Sequence, residues 1–231
     1  MVASKQAFGG NNKRNLEPIH DRSILRSYTI MKSLERTFFT QPDVLQLSQQ
    51  LLGQHLVTEV EGERCVGRIV EVEAYRYDDK ACHAYGNKPT KRTEVMFREG
   101  GHAYVYLCYG IHHLFNIVSG RAGKAEAVLV RALEPVDNLA CMLERRRMEE
   151  VRKRLTAGPG CLAQAMGIHT SMSGLDMLSG NSPVWMEEGD RLPAPSDIIT
   201  GPRIGVDYAE ECAAWPWRFA IKGNRWISKT I

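Results

Sequence analysis

Between positions 69 and 75 the chain runs Ile69-Val-Glu-Val-Glu-Ala-Tyr75, an alternation with a period of two. On an extended strand Glu71, Glu73 and Tyr75 share one face and Val70, Val72 and Ala74 share the other, so an acid and a flat ring project together from an apolar support. An acid on a strand is commonly a solvated charge and a strand tyrosine commonly packing. Similar β-branched and aromatic runs recur at 55–60, 103–108, 114–119 and 127–133, and shorter ones at 184–187, 199–206 and 217–221. The turn Glu61-Gly62-Glu63 makes a hairpin of 55–60 with 65–75, and the short connections elsewhere favour antiparallel pairing over repeated βαβ units. Asn116 and Arg131 stand inside otherwise apolar strands, which weighs against the purely solvated reading.

Helical spacing appears in three places. Val44, Leu47, Leu51 and Leu52 mark one face of a helix that starts at Thr40-Gln-Pro-Asp43, with Thr40 as cap, Pro42 in the first turn and Asp43 favourable to the dipole; Gly53 ends it. A second helix is predicted over 136–155, with Arg145-Arg-Arg147 and Arg152-Lys-Arg154 set among Glu144, Glu149 and Glu150 as a salt-bridged solvent face. A third, over 161–166, lies between Gly158-Pro-Gly160 and Gly167; its free N–H groups could hold a phosphate, and an ordinary turn is equally compatible. The polar stretch 76–98 is a long loop, of the kind that is often functional. Trp215, Trp217 and Trp226 are expected to pack in the core. Residues 1–33 lack periodicity and are expected to form a disordered tail, leaving 34–231 as one domain.

Composition narrows the chemistry. A chain of 231 residues can bury a sizeable core, and its net charge of +3 permits a nucleic-acid partner without demanding one. The six cysteines stand apart at 65, 82, 108, 141, 161 and 212, with no CxxC pair, so neither a structural zinc nor a zinc deaminase is indicated and reduced thiols are expected. No signal peptide and no membrane-length apolar run is visible, which predicts an intracellular protein with no membrane partner.

Several segments in order now carry a resemblance. Leu52-Gly53, Gly67-Arg-Ile-Val-Glu-Val-Glu-Ala-Tyr75, His83, Met96-Phe97, Tyr104-Val-Tyr-Leu-Cys-Tyr-Gly110, Asn116-Ile117, Leu129-Val-Arg-Ala-Leu-Glu-Pro135, Gly158-Pro-Gly160 and Arg203-Ile-Gly205 together resemble the alkyladenine (3-methyladenine) DNA glycosylase family, in its bacterial form. The resemblance implies an α+β fold: a single domain with a mainly antiparallel, curved β-sheet core flanked by helices and a protruding β-hairpin. It implies excision of damaged purines from double-stranded DNA by a monomer, without metal or cofactor, in a bacterial cytoplasm at the nucleoid, or in a nucleus were the source eukaryotic. The target nucleotide must leave the stack at a cost of roughly a few kcal/mol.

The family's roles carry over residue by residue. Glu73 would accept a proton from the water that attacks C1′, as the base of an inverting glycosidase does, with Arg131 fixing that water and pairing with the carboxylate, and the main-chain carbonyl of Ile204 as a further water contact. Tyr75 and Tyr106 would sandwich the base, a stacking gain of about 1–3 kcal/mol. His83 would hydrogen-bond the lesion or its sugar-phosphate, and Asn116 would crowd a purine 2-amino group. Tyr109, out of register with Tyr106 and followed by Gly110, suits a hairpin tip and would fill the gap in the duplex. No lysine matches a Schiff-base nucleophile, so hydrolysis without strand cleavage is expected. A base alkylated at N3 or N7 departs unaided, whereas hypoxanthine or an etheno adduct needs ring protonation, and no second acid is dedicated to that. The chain departs from vertebrate members in a Tyr75-to-His83 interval one residue shorter, in Cys161 for a lysine, in Lys91-Arg-Thr93 and in His112-His113. Two other classes stay open: a non-catalytic damaged-nucleic-acid binding module, and a nucleoside hydrolase.

Overall fold

The computed structural model describes residues 32–231. Among the described residues eight strands, all paired antiparallel, form one open sheet: β1 His55–Val60, β2 Glu63–Arg76, β3 Ala103–Cys108, β4 His112–Val118, β5 Glu126–Asp137, β6 Val184–Glu187, β7 Ile198–Gly201 and β8 Arg218–Ile221. The main order is β3-β4-β5-β2-β1-β6. Four short helices flank it, α1 Arg36–Phe39, α2 Val44–Leu51, α3 Leu139–Arg145 and α4 Pro159–Met166. The expected single-domain α+β class with an antiparallel core is therefore the observed one.

The fourteen-residue β2 organises the sheet. Along one edge it pairs with β5; along the other it pairs first with β1, across a two-residue turn whose Glu61 and Gly62 both hold positive φ, and then with β8 through Glu71, Val72 and Glu73. Its two faces bury different things. Val70, Val72 and Ala74 join Val105, Phe115, Ile117, Val128 and Val130 in the large apolar core with α2 and α4. On the opposite face a smaller cluster of Cys82, Val95, Met96, Tyr104, Val118 and Ala127 seals the loop 77–102 against the sheet. Trp217 and Trp226 are buried and Trp215 packs against the core, as expected.

Three expectations change. The first helix is capped not by Thr40 but by Asp43, whose side chain accepts from the Leu45 N–H at 2.8 Å. The helix predicted over 136–155 is only α3: β5 continues to Asp137, Asn138 turns in the left-handed region and caps Cys141, and Arg147 at φ 52° leaves the helix. Its charges are also not mainly a salt-bridged face, since Arg145 and Arg146 donate to the carbonyls of Val60 and Arg154, and Arg152 alone of that group pairs with an acid, Glu150. The strand predicted over 199–206 stops at Gly201, because Pro202 has no N–H to give the ladder and Arg203 turns inward. The tail expected over 1–33 lies outside the described residues except for Lys32 and Ser33, which already hydrogen-bond or bridge to the β6 end of the sheet.

The cap assignment is directly testable. Asp43→Ala is expected to lower unfolding free energy in urea by about 1 kcal/mol, and Thr40→Ala by clearly less. Equal losses would return the cap to Thr40.

Candidate active site

The strand register places one row of side chains across five strands on the loop-covered face. Tyr104 faces Asn116, Asn116 faces Leu129, Leu129 faces Glu73 and Glu73 faces Arg218. Next to that row the ladder is interrupted: Glu71 lies opposite Ala132 and Val72 opposite Val130, so Arg131 is the extra residue of a bulge in β5. Bulges re-aim side chains, and this one turns Arg131 onto both acids of β2. Its Nε donates to Glu71 at 3.3 Å and its Nη1 lies 3.3 Å from Glu73 Oε1. The Arg131 carbonyl meanwhile accepts from the N–H of Gly158, which fixes the start of α4 beside the site.

Glu73 is fully buried. Its Oε1 also accepts from the Ile204 N–H at 2.7 Å, and its Oε2 from the Tyr75 hydroxyl at 2.8 Å. Burial first, and then the neighbouring Glu73 charge, push the Tyr75 hydroxyl well above its ordinary range, so it remains a donor. A carboxylate oxygen has two lone-pair sites, and among the described residues Tyr75 is the sole donor on Oε2; one site is left for a water.

Glu71, equally buried, has a different job. It accepts from Arg131, from Arg218 at 3.1 Å and from both the N–H and the hydroxyl of Ser228. Arg218 in turn donates to the carbonyls of Pro202 and Lys229. Two acids and two guanidiniums thus neutralise one another out of water, the condition under which buried charge is tolerable.

Above this cluster opens a cavity of about 430 Å³, within the range of small-ligand pockets, lined by Tyr75, His83, Tyr104, Tyr106, Asn116, Leu129, Arg131, Gly158, Ile204 and Tyr208 among others. Asn116 is buried and donates to the Tyr104 carbonyl at 3.1 Å. The His83 ring meets Tyr106 edge to face, with centroids 4.6 Å apart, and its Nδ1 lies 2.9 Å from the Tyr104 hydroxyl. Because Arg92 can only donate, its 3.4 Å contact makes His83 Nε2 the acceptor and puts the proton on Nδ1. Burial, and then the Arg92 charge, lower the His83 pKa to about 4. Tyr109 occupies the β3–β4 turn at φ 51°, followed by Gly110 at φ 74°, and is 91% exposed, flanked by exposed Leu107 and Ile111. The hairpin tip expected for it is where it stands.

The structure therefore brings together Glu73, Arg131, Tyr75, His83, Tyr106, Asn116 and Ile204, with Tyr109 at the cavity rim. The Ile204 contact with Glu73 runs through its N–H, alongside the carbonyl role expected for it. Sequence reasoning missed a supporting set. Arg203, buried behind Tyr75 with its guanidinium 4.8 Å from the ring centroid, forms a two-pronged pair with Asp79 and so ties the loop before His83 to the sheet. Its place in Arg203-Ile-Gly205 was a signal; Asp79, in a polar loop, gave none. Glu71 and Ser228 were likewise unassigned, although Glu71 shares the face of Glu73. No grouping of His, Cys, Asp and Glu suited to a metal occurs among the described residues, and the six cysteines are unpaired.

The protein is an antiparallel α+β sheet with a ring-lined cavity next to a buried, hydrogen-bonded acid. Residues 37–225 match the family described as Methylpurine-DNA glycosylase. The chain is 45% identical over 198 residues to a Bacillus cereus protein named "Putative 3-methyladenine DNA glycosylase", covering 83% of this chain and 97% of that one. Relatives of the same name from Bacillus mycoides, at 45%, and Bacillus cytotoxicus, at 44%, match over the same shares. The chain belongs to the methylpurine-DNA glycosylase family and is a DNA glycosylase of base excision repair.

Two measurements check the electrostatics. Glu71→Ala leaves buried guanidiniums uncompensated and is expected to cost about 3–5 kcal/mol in urea unfolding; a loss under 1 kcal/mol would mean that water enters the cluster. The His83 imidazole should titrate near pH 4 by NMR, with the proton on Nδ1 at neutral pH. Since its folded pKa is depressed, its stability contribution is present above about pH 6.5 and is lost as pH falls toward 4. A midpoint above 6 would contradict the burial.

Proposed function

We propose that the protein hydrolyses the N-glycosidic bond of methylated purines rotated out of double-stranded DNA, with Glu73 as general base. The observation that carries this reading is a fully buried carboxylate held by Arg131, the Ile204 N–H and the Tyr75 hydroxyl, three residues that themselves line the aromatic cavity. A base must lie within hydrogen-bond reach of the proton it removes, and a water on Glu73 Oε2 would lie between the acid and a deoxyribose at the cavity mouth. As C1′ loses its base and gains positive character, Glu73 stabilises the charge and takes the water's proton; Arg131 and the Ile204 carbonyl fix the water.

The remaining residues bind and select. Tyr75 and Tyr106 clasp the base. His83, neutral and already a donor from Nδ1, positions the lesion's edge or sugar-phosphate, while Asn116, tied to the Tyr104 carbonyl, excludes a 2-amino group by crowding. Tyr109 enters the duplex where the base has left; its exposure and the apolar neighbours Leu107 and Ile111 suit a wedge. No lysine lines the cavity among the described residues, which supports hydrolysis without strand cleavage. A DNA substrate and bacterial relatives support work at the nucleoid of a bacterial cytoplasm.

The test uses duplexes that each carry one defined lesion. Glu73→Gln should reduce base release by about 10²–10⁴-fold while lesion-duplex binding is retained; unchanged release would sink the assignment of Glu73 and point to another acid, and binding without any release by the wild-type protein would leave a binding module. Wild-type product strands should break only after alkali, breakage without it being the sign of a lyase. Tyr109→Ser should slow release from duplex, and an unaltered rate there would favour a nucleoside hydrolase.

A further inference from the structure

Arg92 has so far entered only through its contact with His83. It sits in the loop 77–102, is exposed, and within 4.0 Å has no acidic partner among the described residues. Its guanidinium carbon is 5.1 Å from the Tyr106 ring centroid and its Nη2 holds His83 Nε2 at 3.4 Å. Tyr106 and His83 line the cavity, whereas Arg92 does not, so these two rings stand between the cation and the space for the base. Tyr75, the opposite plate, also carries a guanidinium on its ring, but Arg203 is neutralised by Asp79. Arg92 is thus the uncompensated charge next to the base site.

The geometry points to Arg92 as a specificity-determining residue that keeps the base site at positive potential from behind Tyr106, opposing the binding of a cationic base while promoting its departure from the sugar. The inference rests on the glycosylase reading of this cavity. Its logic is electrostatic. A cation on one face of a tyrosine ring draws on the same quadrupole that a cationic base would use on the other, and two like charges a ring's thickness apart repel across a medium poorer than water. When the C1′–N bond breaks, its electron pair passes to the base, a cationic purine leaves as a neutral one, and the positive charge moves to the sugar next to Glu73. The repulsion present in the bound state is relieved in the transition state, a difference that accelerates the step. A neutral base meets no such penalty on binding. His83, kept unprotonated by burial first and then by the same arginine, adds no second charge.

The experiment compares duplexes bearing a single 7-methyladenine, which is cationic, with duplexes bearing a single hypoxanthine, which is neutral; neither base carries the 2-amino group that Asn116 would exclude. Dissociation constants are measured in the Glu73→Gln background, with and without Arg92→Gln, and single-turnover release is measured with Glu73 intact. We expect Arg92→Gln to tighten binding of the cationic lesion by about five-fold, to slow its release by a similar factor, and to leave affinity for the neutral lesion unchanged. Arg92→Lys, which keeps the charge, should restore both values. A parallel loss of affinity for both duplexes would make Arg92 a contact to the DNA backbone and overturn the inference, as would unchanged behaviour or a failure of lysine to rescue. Absence of release from any duplex by the wild-type protein would instead refute the reading on which the inference rests.

Discussion

Two acids and two guanidiniums lie side by side on one face of β2, out of water, and the rest of the site is arranged around keeping them paired. Glu71 and Glu73 arrive together because a strand repeats every second residue, and two adjacent buried carboxylates would be untenable alone. Arg131 reaches both because the β5 ladder bulges at that residue, and Arg218 closes the far side through the short β2–β8 pairing. Of the two acids, Glu71 is held by Arg131 together with Arg218 and Ser228, which do not line the cavity, whereas Glu73 is held by Arg131, Ile204 and Tyr75, which all line it. The division of labour is made by partners, since the two side chains are chemically the same.

The cavity above the cluster shows the same economy. Tyr75 is at once a donor to Glu73, a wall of the cavity and the lid over Arg203. Arg203 reaches the Ala74 and Cys212 carbonyls and Asp79, so one buried guanidinium sets the distance between strand β2, the loop after it and the segment that presents Ile204. The strand ending at Gly201 is what releases Ile204 from sheet pairing and makes its N–H available to the acid.

Much of this was legible in the sequence where local pattern and final environment agree. The alternation at 69–75 set the faces of β2, the run around Tyr104 set β3, and glycines bracketed α4. The resemblance then supplied Glu73 and Arg131, which the structure brings within 3.3 Å. What escaped is non-local. The charged stretch after Pro135 has good helix formers throughout, yet β5 pairing holds its first residues extended and Asn138 and Arg147 turn left-handed without a glycine to announce it. Asp79 looks like any loop acid until Arg203, 124 residues on, reaches it. Arg131 could be picked from its apolar strand, but the bulge that aims it depends on register with β2, which no single strand encodes.

The wide spacing of the cluster along the chain also constrains how the molecule comes into being. Glu71 meets Arg131 across 60 residues, Arg218 across 147 and Ser228 across 157. Closing such loops costs entropy before any contact rewards it, so assembly of this centre belongs to the late, slow part of folding. Until then both carboxylates remain hydrated and the central strand lacks one flank. Competence for chemistry and completion of the native sheet consequently arrive in the same event.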